Sequence, residues 1–321
     1  MLVAVPVLIA GLVMLVQGAD RFVESAAAIA VRHRLSPVLV GAVVIGFGTS
    51  APEMVVSAIA SARGEVALGV GNIVGSNVAN VTLVLGVAAL IAPLAVDRSI
   101  LVREGPLAIA AVAMSAAFFF NGVLARWEGI AFVVAMVVAL GLIIRGGLDV
   151  EDLTFGDQAD ERSQRRLVFF TVLGLAMTVV GAQVVVWAAT EIADDFGLTG
   201  GFVGFSLVAL GTSLPELGTT VIACRKGQTG LVVGNLLGSN IFNSLAVGGI
   251  MGLVGPGVIT DELLSGRGSV LMVVAVVLAY LFASNGRRLN RVEGLVLVAL
   301  YVAALVLLAG GTEEVDAALA L

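Results

Sequence analysis

Gly48-Thr49-Ser50-Ala51-Pro52-Glu53 and, 163 residues further on, Gly211-Thr212-Ser213-Leu214-Pro215-Glu216 are the stretches on which the architecture of this chain turns. The same offset pairs Gly18 with Gly181, Gly41 with Gly204, Asn72 with Asn235, Ser76 with Ser239 and Asn80 with Asn243. Between Gly46 and Asn80, 16 of 35 positions match their partners without a gap, far more than chance gives in apolar sequence. The chain is therefore an internal duplication.

The surroundings of both copies are apolar. Of 321 residues, 59% are hydrophobic and only 12% charged, and the mean hydropathy is +1.10. A soluble domain carries roughly twice that charge. Runs of 18 or more apolar residues recur, each able to cross a hydrocarbon layer about 30 Å thick. Hydropathy predicts about ten spans, at 2–31, 37–62, 66–92, 100–120, 127–145, 167–193, 200–224, 229–255, 268–284 and 292–310. The first and sixth exceed a perpendicular crossing and are expected to tilt or to extend beyond the bilayer. Met1 to Ala10 has no basic start and no small-residue cleavage site, so it reads as the first span and not as a removable signal.

Ten spans divide into a first repeat over 1–145, an acidic cytoplasmic linker over 146–166 and a second repeat over 167–321. An odd number of spans per repeat, about five, makes the second enter the membrane in the opposite sense. The expected fold is all-α, with helices interrupted at the duplicated motifs. With both termini outside the cell membrane, thirteen basic residues from Arg32 to Arg291 fall in cytoplasmic connections, and only Arg63, Arg126 and Arg267 fall outside. That asymmetry follows the positive-inside rule.

The chemistry sits within the spans. Pro52 and Pro215 lack a backbone donor and press on the carbonyls of Gly48 and Gly211. Interrupted backbone at membrane depth survives only inside protein or beside a cavity. Thr49 and Glu53, four residues apart, share a helix face, as do Thr212 and Glu216. Ser50 with Glu53, and Ser213 with Glu216, also match a helix capping box. However, a carboxylate at this depth costs several kcal/mol and usually marks an ion pathway. Two such residues at matched positions favour an ion site.

The second motif, Gly71-Asn72-Ile73-Val74-Gly75-Ser76-Asn77-Val78-Ala79-Asn80, returns as Gly234-Asn235-Leu236-Leu237-Gly238-Ser239-Asn240-Ile241-Phe242-Asn243. Its glycines suit close helix packing, which leaves the row of Asn and Ser unexplained. Ser76 with Asn80, and Ser239 with Asn243, add neutral oxygens to one face. An all-oxygen set suits hard cations such as Ca²⁺ and Na⁺.

The remaining candidates read as structural. His33 is the lone histidine, flanked by arginines in a loop, and Cys224, the lone cysteine, excludes an intramolecular disulfide or Cys cluster. The acidic linker lacks the ligand spacing of an EF-hand. Asp20, Arg21 and Glu24 have no charged counterparts at the 163 offset and are assigned a structural or vestibule role.

These paired motifs resemble the two α-repeats of the sodium/calcium exchangers, within the cation/calcium antiporter superfamily, over about 18–86 and 181–249. The resemblance implies ion ligands from Thr49, Ser50, Glu53, Ser76 and Asn80 and from Thr212, Ser213, Glu216, Ser239 and Asn243. Backbone oxygens near Gly46 and Ala209 are implied as well. It also implies alternating access, with the first and sixth helices sliding against a core of the repeats, and exchange of three Na⁺ for one Ca²⁺. Asn243 stands where the potassium-dependent branch carries Asp, and cation/proton exchangers lack this Gly-Thr-Ser-x-Pro-Glu form. A passive divalent-cation channel is the alternative from another class. An intramembrane aspartyl protease would need paired aspartates in the spans and a Gly-x-Gly-Asp motif, which the sequence does not have. The expectation is transport and not catalysis, with no resident cofactor, no nucleic-acid partner, Na⁺ and Ca²⁺ as cargo and H⁺ as competitor. Oligomeric state is left open.

Overall fold

A computed structural model describes residues 3–33, 35–148, 163–195, 211–261 and 264–309. Ala209, the start of the seventh expected span, most of the acidic linker and the C-terminal acidic tail lie outside the described residues.

The described chain is mostly helical. Its helices are α1 (Ala4–Arg32), α2 (Val38–Thr49), α3 (Ala51–Ala62), α4 (Val66–Ile91), α5 (Ile100–Phe119), α6 (Arg126–Leu148), α7 (Gln164–Asp195), α8 (Leu214–Arg225), α9 (Thr229–Val254), α10 (Leu264–Arg287) and α11 (Arg291–Ala309). Seven are long and apolar enough to cross a membrane, or eight if α2 and α3 form one span bent by 43° at Ser50. By that measure the described residues do not reach the expected ten. A multi-pass membrane protein is nonetheless clear.

Polarity is distributed as a lipid environment demands. Leu12, Val16, Phe120, Val137 and Val296 face outward, whereas Ser50, Glu53, Asn77, Asn80, Asn243 and Ser244 are buried. Helices α4 and α9 are the innermost. Their apolar windows are each 72% buried, against 28–39% for the other long spans. Both are interrupted by π-helical turns, at Asn80–Val84 and Phe242–Val247. Such turns shift the helix register by one residue and occur often at functional sites.

Four two-residue strands, absent from the all-α expectation, tie the repeats together. β1 (Leu94–Ala95) pairs antiparallel with β4 (Arg288–Leu289), and β2 (Val123–Leu124) pairs with β3 (Gly257–Val258). β1 and β3 are related by the 163 offset. Each half therefore lends a strand to the other.

The long helices α1 and α7 pack along one another on the outside of this core. A Cβ at Gly18 would lie 2.5 Å from the Thr178 nitrogen, and one at Gly181 would lie 2.6 Å from the Leu15 nitrogen. The duplicated glycines thus let two backbones touch. Helix α9 crosses α2 in the same manner, with a Cβ at Gly41 placed 2.6 Å from the Leu231 carbonyl. That crossing brings the two acidic motifs to one place.

Candidate cation site

At Ser50 the polypeptide leaves α2 and restarts as α3, with Pro52 in the first turn where a missing N–H costs nothing. Ser213 and Pro215 do the same at the start of α8. The capping box expected at these points does not form. Neither serine hydroxyl caps its helix, and Ser50 instead donates across the repeat interface to Glu216 Oε1 at 3.3 Å. Pro52 removes one of the two backbone donors a cap would use. A carboxylate attracts the single hydroxyl proton more strongly than a neutral acceptor would.

Glu53 is 1% exposed and Glu216 fully buried. Glu216 is near enough for its charge to act on Glu53. Glu216 Oε1 also accepts from Ser239 at 3.4 Å, while its Oε2 receives nothing. Ser76 and Thr212 face the Glu53 carboxyl, but neither Glu53 oxygen receives a hydrogen bond of good geometry. Among the described residues neither carboxylate has a basic partner; the ion pairs, Arg103–Glu104 and Lys226 with Asp20 and Glu24, lie elsewhere.

Neutral oxygens complete the cluster. Thr49 and Thr212 are buried, with Ser76 Oγ 3.4 Å from Thr212 Oγ1 and Ser239 Oγ 3.5 Å from the Gly46 carbonyl oxygen. Asn80 and Asn243, at the π-helical turns of α4 and α9, are fully buried with both amide atoms unpartnered. Ser213 Oγ is unpartnered as well. Partnerless buried polar groups are uncommon and each costs about 1–3 kcal/mol. The two acids are faced by the hydroxyls of Ser50, Ser76, Thr212 and Ser239, drawn from both halves. Among the described residues no three His, Cys, Asp or Glu side chains meet, so the formal charge of the cluster is that of the two glutamates. Oxygen donors with a net charge of about −2 fit a hard mono- or divalent cation.

Hydrogen bonds and close approaches tie Thr49, Ser50, Glu53, Ser76, Thr212, Glu216, Ser239 and the Gly46 carbonyl together across the two halves, whereas Asn80, Asn243 and Ser213 are buried with unpartnered polar atoms. The sequence pattern missed Asn72 and Asn235 as members of this site. Asn72 Oδ1 lies 3.2 Å from the Thr212 hydroxyl, and Asn235 Oδ1 lies 3.3 Å from the Thr49 hydroxyl, which donates to the Ile45 carbonyl at 3.0 Å. Their only sequence signal was invariance under the 163 offset, which packing glycines share.

The residues given structural roles behave accordingly. Lys226, in the turn after α8, bonds Asp20 at 2.7 Å and lies 3.8 Å from Glu24, pinning α1 to α8. Arg21 donates to the Met177 sulfur at 3.3 Å. His33 meets Gln164 at 3.1 Å where α1 ends and α7 begins. Cys224 is buried and reduced, with its thiol 3.3 Å from the Ala88 carbonyl.

Comparison with known proteins places this arrangement. The family model described as sodium/calcium exchanger protein matches residues 3–145 and again 166–310. The putative antiporter CaxA of Alkalimonas amylolytica is 38% identical over 94% of this chain and 97% of its own length. The sodium/calcium exchanger MaX1 of Methanosarcina acetivorans is 32% identical over 94% and 97%. The solved structure of the sodium-calcium exchanger NCX_Mj soaked with 2.5 mM Na⁺ and 1 mM Sr²⁺ superposes with a TM-score of 0.83, at 29% identity, covering 95% of this chain and 98% of that one.

Proposed function

We propose that this chain, which belongs to the sodium/calcium exchanger family, exchanges Na⁺ for Ca²⁺ across the cell membrane by alternating access. The observation that carries the proposal is the convergence of Glu53 and Glu216, one from each repeat, in a buried oxygen cluster with no basic partner among the described residues. The architecture that goes with it is ten spans in two inverted repeats, over 1–145 and 167–321, joined by a cytoplasmic linker, with both termini outside. The proposed ligands are Thr49, Ser50, Glu53, Ser76, Asn80, Thr212, Ser213, Glu216, Ser239, Asn243 and the Gly46 carbonyl. Ala209 is proposed as the backbone counterpart of Gly46.

The stoichiometry has an electrical consequence. One Ca²⁺ or two Na⁺ neutralise the two carboxylates, and a third Na⁺ leaves the sodium-loaded form one charge more positive. Exchange of three for one is then electrogenic, each charge moved being worth about 2.3 kcal/mol per 100 mV. Protons compete for the same carboxylate oxygens, so Ca²⁺ uptake should fall between about pH 8 and 5 and recover when Ca²⁺ is raised.

Uptake of ⁴⁵Ca²⁺ into Na⁺-loaded proteoliposomes tests the proposal. Uptake should require internal Na⁺, respond to an imposed potential, and vanish in Glu53→Gln and Glu216→Gln. Uptake without any counter-ion would indicate a channel, and indifference to potential would rule out three-for-one exchange.

A further inference from the structure

The two ribbons that tie the repeats together are matched in sequence and differ in chemistry. Arg126-Trp127-Glu128-Gly129 opens α6 and returns 165 residues on as Arg291-Val292-Glu293-Gly294 at the start of α11. The match is structural as well, since Glu128 and Glu293 each accept the backbone N–H three residues earlier at 2.8 Å. The same offset sets β2 against β4, and with them Gly122 against Arg287 and Val123 against Arg288. Gly122 has φ 74° and Arg287 has φ 55°. Glycine adopts that left-handed turn freely and arginine does not, so an arginine held there calls for a functional reason. Arg98, four residues beyond Leu94 of β1, adds a third charge, where the 163 offset places Asp261 in the other half. Arg98, Arg287 and Arg288 are exposed, and among the described residues none of them forms an ion pair. Asp97 is the acid beside them in the chain and leaves the patch cationic. The positive-inside rule puts this ribbon at the cytoplasmic face.

Beneath the β1–β4 ribbon lies an apolar recess of about 570 Å³, walled by α4, α5, α9 and α10. Pockets that hold small organic ligands span about 300–1,000 Å³. Leu94, Val96 and Leu289 of the ribbon segments line it, alternating with the exposed Ala95 and Arg288. The Val96 N–H donates to the Arg287 carbonyl at 2.9 Å, so the arginine backbone belongs to the rim. On α10 the lining includes Ala279 and Ala283, where the 165 offset gives the larger Met114 and Phe118 in the first half. Tyr280 lines it too, and its hydroxyl donates to the Leu101 carbonyl at 2.7 Å, which leaves the ring as apolar wall. The small residues and the three charges thus fall at the same ribbon.

An apolar slot in a membrane-spanning wall, rimmed by unpaired arginines, matches a ligand with a hydrocarbon chain and an anionic head. The bilayer itself supplies such ligands, and basic pockets between helices on the cytoplasmic side bind their headgroups. We propose that this recess binds an anionic phospholipid, with one acyl chain among Val96, Ala279, Ala283 and Leu289 and the phosphate met by Arg98, Arg287 and Arg288. Arginine suits the phosphate because its planar fork donates two parallel hydrogen bonds. β1 and β4 come from different halves, so the lipid bridges the joint between them. The site lies apart from the cation cluster and does not depend on that reading.

Native mass spectrometry of the purified full chain, delipidated in detergent and titrated with phosphatidylglycerol or phosphatidylcholine, tests the assignment, with the melting temperature recorded alongside. The parent should retain one phosphatidylglycerol at concentrations about tenfold lower than it needs for phosphatidylcholine. Arg287→Gly combined with Arg288→Gln should weaken phosphatidylglycerol binding about tenfold or more, the scale of two charges removed from beside a headgroup, and leave phosphatidylcholine unchanged. Because glycine accepts the φ of Arg287 without strain, the lipid-free melting temperature of that variant should not fall, whereas a merely structural pair of arginines would lower it. Ala283→Phe, which restores the bulk found in the first half, should weaken both lipids; where it does not fold, Ala283→Leu carries the same comparison. Arg63→Gln, exposed on the opposite side, should change neither. Equal affinity of the parent for the two lipids, or an arginine variant that holds phosphatidylglycerol as the parent does, would overturn the headgroup assignment. Unchanged binding of both lipids after the recess is filled at Ala283 would overturn the acyl-chain site.

Discussion

Glu216 and Glu53 occupy matched positions in a duplicated sequence, and their surroundings differ. Ser50 of the first half and Ser239 of the second both donate to Glu216. Thr212 and Ser76 face Glu53, but neither of its oxygens receives a hydrogen bond of comparable geometry, and Ser213, the counterpart of Ser50, has an unpartnered hydroxyl. The same contrast recurs further out. Ser61 donates to the Gly255 carbonyl at 2.6 Å, with the Met251 carbonyl 3.1 Å away, while its counterpart Cys224 reaches the carbonyl of Ala88 at 3.3 Å. Asn77 bonds Ser244 at 3.1 Å, but Asn240 has no partner because Val81 stands where the symmetry would place a hydroxyl. The duplication reproduces backbones and donor types, and the distribution of hydrogen bonds departs from it.

The most severe challenge to this comparison is removal of one carboxylate at a time. Glu53→Gln and Glu216→Gln should each lower Na⁺-driven Ca²⁺ uptake by about a hundredfold or more, in keeping with the ~3–5 kcal/mol lost when one partner of a buried charge pair is removed. A variant that retains uptake would show that one half alone organises the ion, and the symmetry argument would fall.

A somewhat smaller effect is expected where α1 meets α7. Gly18→Val forces side-chain atoms into the Thr178 backbone and should cost about 1–3 kcal/mol in a denaturation experiment, with slower exchange. Gly141→Val, on α6 where a Cβ would meet nothing within 4 Å, should stay within about 0.5 kcal/mol of the parent. Equal losses would mean that the glycine seam is not a tight backbone contact.

Smaller still is the contrast between the two serines. In ion-free protein, Ser50→Ala should lower stability by about 1.5 kcal/mol, as expected for a hydrogen bond to a charged group, and Ser213→Ala by almost nothing. Melting curves in sodium-free buffer provide the measurement, and the reverse order would place the hydrogen-bonded half on the wrong side. Last comes the outer pair, in which Ser61→Ala should cost about 1 kcal/mol and Cys224→Ala a few tenths, because a thiol is a weak donor. Matching losses from chemical denaturation would erase this asymmetry.

Much of the site was legible in the sequence because its residues recur at a fixed spacing. Glu53 and Glu216, Ser76 and Ser239, and Asn80 and Asn243 could be paired by the offset alone; the first four lie against one another, and the two asparagines are fully buried. The capping box at Ser50 was a fair local expectation that failed for a non-local reason, since its hydroxyl finds a charged acceptor 166 residues away. Asn72 and Asn235 were hidden for the same reason. Their partners, Thr212 and Thr49, lie on the other repeat, and periodicity along one helix carries no information about the helix that crosses it. The tie between Lys226 and Asp20 was equally invisible, because Asp20 has no charged counterpart at the duplicated position, where Gln183 stands, so the pair is not repeated.

What the sequence by itself determined was solvent, duplication and chemistry: apolar spans too long for a soluble core, one offset relating two motifs, and two acids among neutral oxygens. Only the tertiary structure decided which hydroxyl serves which carboxylate and which amide faces which threonine. Those pairings depend on where α9 crosses α2, a contact set by Gly41 and Gly234 meeting backbone atoms of the opposite helix. A shift of one helical turn there would keep every residue and its periodicity while exchanging all the partners, so the selection is made by interhelical packing.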